Sequence, residues 1–175
     1  MVRYLVQRGA CVDSITPDGD TVLHLALATD RTEEERCKLV QYLISAGCNP
    51  SVCNLEGNTV LLAAIERGCA LVLELLLSLN VPMPPNILHI ALRHHCEPQM
   101  IRVLVRKCNN NHLLQSVLSG SDWDSLLQLA TSYPGQYGRQ ITEILEAAHK
   151  ANRTHPNCED EAHMPRIAKR PRLDD

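Results

Sequence analysis

Three groups of residues carry side chains with the makings of chemistry. His94-His95-Cys96 sets a thiol beside two imidazoles, the ingredients of a nucleophilic pair. Such a pair needs a base that meets the thiol in space and is oriented by a third group, and sequence neighbours at a helix end do not supply that. His155, Cys158 and His163, with His149 nearby, offer donors to a metal. Structural zinc takes four well-placed ligands, and this spacing matches no such pattern. The third group is basic: Lys169, Arg170 and Arg172 within Ala168-Lys-Arg-Pro-Arg-Leu-Asp174. No glycine-rich phosphate loop or paired-carboxylate signature accompanies any of them. The expectation is a protein that is not an enzyme, with no catalytic residue, no cofactor and no metal.

Bulk composition narrows the alternatives. A chain of 175 residues is one domain on length and can bury a real core. Hydrophobic residues make up 45% with no Phe and one Trp, so the core must be aliphatic, which suits helices packed face to face. A net charge of −3 lacks the basic footprint of a protein that binds nucleic acid directly. Eight cysteines are scattered along the chain, and Met1 to Gly9 resembles no secretory leader. They read as reduced, mostly buried thiols of a protein in the nucleus or cytoplasm, not secreted. No window approaches the roughly 18 to 20 apolar residues of a membrane span.

What must position any functional residue is a repeat. Thr21-Val-Leu-His-Leu-Ala26 returns as Thr59-Val-Leu-Leu-Ala-Ala64, Asn86-Ile-Leu-His-Ile-Ala91 and Ser125-Leu-Leu-Gln-Leu-Ala130. Each copy opens with a residue able to cap a helix, so Thr21, Thr59, Asn86 and Ser125 are expected N-caps. Thr32-Glu-Glu-Glu35 is a capping-box pattern that opens a second helix ending at Gly47, and its glutamates suit a first helical turn. Asp18-Gly19 and Glu56-Gly57 mark tight turns of short hairpins, whereas Val81-Pro-Met-Pro-Pro85 has few amides to offer a ladder. Further helices are expected near 2–9, 59–67, 69–79, 86–95, 98–107, 125–132 and 139–150. Asn109-Asn-Asn111 is expected to break the chain before a short extra helix at Leu113 to Leu118.

The copies start at 21, 59, 86 and 125, spaced 38, 27 and 39. That averages about 35, near the 33-residue ankyrin period. With Gly19, Thr21, Leu23, His24 and Ala26 in one unit and Gly57, Thr59, Leu61 and Ala63 in the next, the chain resembles the ankyrin repeat family. The resemblance covers about Val2 to Lys150. It departs from the family at the motif Pro, replaced by Val22, Val60, Ile87 and Leu126, and at the motif His, kept as His24 and His89 but Leu62 and Gln128 elsewhere. In the family that His bonds the capping Thr and neighbouring backbone, so the second unit should lose part of this network.

The resemblance implies an all-α fold, an ankyrin-like helical solenoid of stacked helix pairs with short, irregular β-hairpin fingers. It spans 1–150, as a half-repeat at 1–15 and repeats at about 16–53, 54–83, 84–111 and 112–150. Residues 151–175 are expected to be a disordered polar tail. The implied function is a non-enzymatic protein–protein interaction module. Its partner-binding positions carry over to Asp18, Asp20, Glu56, Asn58, Asp122, Trp123 and Asp124 on the fingers, and to Glu66, Arg67, Arg93, His94 and Tyr133 at first-helix ends. The acidic fingers favour a protein partner with a basic segment. Trp123 is either an exposed anchor or a lid over the Leu113 to Leu118 segment.

Lys169, Arg170 and Arg172 resemble a nuclear-import signal, and a nuclear-import receptor is the partner expected there. The chain is expected to be a monomer. The alternative is the recognition part of a larger multidomain protein, a nucleotide-dependent sensor or ubiquitin-ligase adaptor, whose activity lies elsewhere.

Overall fold

In a computed structural model, residues 2–110 and 121–154 are described. Nine helices lie within them: α1 (Val2–Gln7), α2 (Val22–Leu27), α3 (Glu33–Ser45), α4 (Val60–Glu66), α5 (Ala70–Ser78), α6 (Ile87–Arg93), α7 (Pro98–Asn110), α8 (Ser121–Thr131) and α9 (Gln136–Thr154). The repeat hexapeptide forms each short first helix. Leu23, Ala26 and Leu27 of α2 are buried, as are Leu61, Ala64 and Ile65 of α4, and Leu88, Ala91 and Leu92 of α6. This 3.6-residue spacing of apolar side chains directs one stripe of each helix inward.

The helices pair within units, α2 with α3, α4 with α5, α6 with α7 and α8 with α9. They also stack between units in two layers, α2–α4–α6–α8 and α3–α5–α7–α9. An aliphatic core runs between the layers, from Leu23 and Leu43 through Leu73, Leu76 and Met100 to Ile141 and Leu145. Each fully buried Leu or Ile contributes about 1.5–3 kcal/mol of transfer free energy, so the stack holds without large aromatics. The only strand pairings among the described residues are two isolated antiparallel bridges, Ile15 with Thr21 and Cys53 with Thr59. These close the two expected hairpins. The proline-rich connector of the third unit forms none.

Helix ends follow local chemistry. Thr32 Oγ1 accepts the Glu35 amide while Glu35 Oε2 accepts the Thr32 amide, completing the capping box. Thr59 Oγ1 accepts the Leu62 amide. Gly47 (φ +105) ends α3, with the Cys48 amide reaching back to the Leu43 carbonyl. The same 6→1 closure ends α5 at Asn80 (φ +55) and α6 at His95 (φ +52), where a side chain occupies the left-handed region.

Four sequence expectations change here. Asn86 makes no side-chain cap, because its backbone (φ −91, ψ 18) is not extended as a capping residue's is. Ser125 is not a cap either: α8 begins at Ser121 and Ser125 lies inside it. The chain does not break at Asn109, since α7 continues through Asn110. Finally, α9 runs on to Thr154, four residues past the helix end expected near Lys150. The expected Leu113 to Leu118 helix lies outside the described residues.

Candidate functional site

The two hairpins are built as one block. Asn54 is its hub: Oδ1 accepts the amides of Glu56 (3.1 Å) and Asn58 (2.9 Å), folding the second finger around an Asx turn. Its Nδ2 donates to Asp20 Oδ1 of the first finger at 2.8 Å. The Leu55 amide donates to the Asp18 carbonyl at 3.1 Å, so backbone also joins the fingers. Gly19 permits this approach. A Cβ there would lie 2.8 Å from the Leu55 nitrogen, and its φ of +79° already disfavours a side chain.

His24 anchors the block from below. Its Nε2 lies 3.1 Å from the Asn58 carbonyl, which can only accept, so Nε2 carries the proton. Nδ1 is then the acceptor for the Thr21 amide at 3.2 Å and the Thr21 hydroxyl at 2.9 Å. The motif His therefore ties its own cap to the next unit's finger. His89 makes no such tie among the described residues. Asn86 presents no extended cap to it, and the fourth unit begins as helix α8 where a finger was expected. Leu62, apolar, makes none either.

The partner-binding candidates separate into those the stack uses and those it leaves free. Asp18 and Glu56 are exposed at the finger turns. Asp20 and Asn58 are part-buried in the clamps just described. Glu56 Oε2 accepts the Asn58 side-chain amide at 3.2 Å within its own finger. Leu55 (79%) and Ile15 (65%) are exposed on the same two fingers. Sequence reasoning missed both, and missed Asn54, whose signal was an Asn three residues before the turn Gly57.

Glu66, Arg67, Arg93 and His94 are exposed at the ends of α4 and α6, as expected. Glu66 and His94 approach to 4.0 Å with both side chains about two-fifths exposed, a pairing of little energetic weight. Tyr133 is a correction. It is buried at 6% exposure, and its hydroxyl donates to the Leu92 carbonyl at 2.8 Å. Its ring also lies against His95, 5.1 Å between centroids. Burial pushes its pKa up to about 12. Tyr133 joins the third and fourth units and offers a partner nothing.

Asp122, Trp123 and Asp124 are also corrected. They lie in the first turns of α8 and not on a finger. Trp123 is partly buried and stacks on His149 of α9, 4.4 Å between centroids and 17° between planes. The His149 Nδ1 is buried without a hydrogen-bond partner among the described residues.

The His94-His95-Cys96 run is split three ways. His94 faces Glu66, His95 faces Tyr133, and the buried Cys96 thiol donates to the Ile65 carbonyl at 3.4 Å. Burial holds the Cys96 pKa up at about 11, which keeps the thiol protonated and a poor nucleophile at neutral pH. Cys48 and Cys37 likewise donate across unit boundaries, to the carbonyls of Val12 and Leu71. The seven cysteines among the described residues are all free. No group of three or more potential metal ligands occurs among the described residues. His155, Cys158, His163, Lys169, Arg170 and Arg172 lie outside them.

Residues 32–115 match the family model for ankyrin repeats, in three copies. Over that stretch the chain carries ankyrin repeats. No curated protein matches it. The matched stretch runs from the cap of α3 past the end of α7, and α2, α8 and α9 continue the same two-layer packing outside it. Ankyrin repeats are protein–protein interaction modules, which sets the class of function for this stack. No helix among the described residues is long and apolar enough to cross a membrane.

Proposed function

We propose that this ankyrin stack binds a basic segment of a partner protein along its paired fingers. The supporting observation is the clamped finger block, which spends Asp20 and Asn58 on internal bonds and leaves Asp18 and Glu56 exposed, with Leu55 and Ile15 exposed on the same two fingers. A rigid surface loses little conformational entropy on binding, and its carboxylates attract Lys and Arg side chains. The exposed ends of α4 and α6, with Glu66, Arg67, Arg93 and His94, extend the same reading along the first-helix layer.

The test is affinity capture with the wild type beside the double variant D18K/E56K. Partners retained by the wild type at low salt are expected to be lost by the variant, whose fold is unchanged because neither side chain holds another unit. Identical partner sets would place the binding surface elsewhere.

The basic cluster Lys169, Arg170 and Arg172 supports nuclear import by a receptor that reads Lys and Arg side chains on an extended segment. Pro171 lies within it. Residues 164–175 fused to a fluorescent protein should concentrate it in nuclei. A diffuse cytoplasmic signal would refute this.

A further inference from the structure

A groove of about 430 Å³ runs between α7 and α9 in the second-helix layer and shares no residue with the fingers. Its floor is apolar, with Val105, Ile144 and Ala148. One wall carries Arg102 and Arg106, a pair at i and i+4 on the exposed face of α7. Neither guanidinium has a hydrogen bond or ion pair to another described residue, and Glu143 stands on the opposite wall. The groove is therefore asymmetric, cationic along α7 and anionic along α9.

The sequence that follows α9 has the matching pattern. Glu159-Asp160-Glu161 begins five residues after Thr154, and Met164 follows. Five extended residues span up to about 17 Å. The groove residues Ala148 and Ile144 lie six and ten residues back, about 9 and 15 Å along the helix. The acidic triplet thus reaches back to the groove it is tethered beside. At such tether lengths the effective concentration is of millimolar order, so contacts too weak to form between separate molecules form here.

The geometry points to residues 155–165 as the occupant of this groove, with Glu159, Asp160 and Glu161 against Arg102 and Arg106 and Met164 on the apolar floor. Glu143 favours this register, because its charge turns the acidic triplet toward the α7 wall. Docking there anchors the tail by its near end and leaves the basic cluster at 169–172 beyond the anchor.

Hydrogen exchange of the full chain tests this. Residues 155–165 should exchange about tenfold more slowly than an unstructured peptide, because docking is a local equilibrium well short of global stability. R102E/R106E should abolish that protection, and so should E159K/D160K/E161K. Combining the two sets should restore it, which a merely structural effect of the substitutions would not do. Raising salt to about 1 M should remove protection from the wild type without any substitution, since surface charge pairs are screened there. Unprotected residues 155–165 in the wild type would overturn the proposal, as would protection that survives R102E/R106E. Protection that grows with protein concentration would also overturn it, in favour of docking on a second copy.

Discussion

The Glu33 carboxylate accepts the backbone amide of Leu71 at 2.7 Å, from the first turn of α3 to the first turn of α5 in the next unit. The residue that should cap α5 is Cys69, which makes no side-chain cap of its own. Its sulfur instead receives the Arg36 guanidinium at 3.1 Å. A charge-assisted bond from one unit therefore caps a helix of another, where the positive end of the helix dipole also favours the carboxylate. Glu33→Ala should cost about 1–2 kcal/mol. Glu34→Ala, in the same turn without this bond, should stay within about 0.5 kcal/mol. Thermal unfolding followed by circular dichroism separates the two, and equal effects would remove the cross-unit cap.

Restoring the family's histidine in the second unit should not help. His24 is stabilised by the Asn58 carbonyl of the next finger, but the unit after Leu62 has a proline connector with no strand pairing. Leu62→His should therefore lose packing and gain no partner, lowering stability by about 1 kcal/mol. A raised unfolding midpoint would show that an acceptor exists there.

The finger block separates structure from binding. Asn54→Ala removes three hydrogen bonds and should destabilise the fold by about 2 kcal/mol. Asp18→Ala, at an exposed side chain, should leave stability within about 0.5 kcal/mol. If Asn54→Ala unfolds at the wild-type denaturant midpoint, the clamp contributes nothing.

Tyr133→Phe deletes the buried hydroxyl and should cost about 1 kcal/mol by leaving the Leu92 carbonyl without it. Alkaline pH acts on the same contact. The folded pKa is raised to about 12 from 10, so the stabilisation is complete below pH 10 and is lost as pH rises toward 12. The wild type should lose stability through that window more steeply than Tyr133→Phe. Parallel curves in denaturant titrations would contradict this.

Burial also raises the thiols of Cys96 and Cys108 to about 11. A thiol reagent at neutral pH should label the exposed Cys11 and Cys53 in the native protein, and reach Cys96 and Cys108 only on unfolding. Peptide mapping of the labelled sites gives the order. Early labelling of Cys96 would mean that the third unit opens locally.

The sequence by itself determined whatever is written in contiguous residues. The hexapeptide at Thr21 and Thr59, the Thr32–Glu35 capping box, the Gly47 terminus and the two hairpins all rest on bonds between residues a few positions apart. They are legible because both partners lie in one window. Asn86 and Ser125 show the limit of that reading: each has a capping side chain, but the backbone at Asn86 and the early start of α8 at Ser121 decide otherwise.

Only the tertiary structure decided which polar residues are left for a partner. Asp20 with Asn54, and His24 with Asn58, are each 34 residues apart, so they meet only when one unit stacks on the next in register. The same stacking turns Tyr133 inward to Leu92 and lays Trp123 on His149. Chemically similar residues, Asp18 and Asp20, consequently have different fates. A side chain's reach is local, but its partner is set by packing between units, and the one-dimensional pattern does not record which face the neighbour covers.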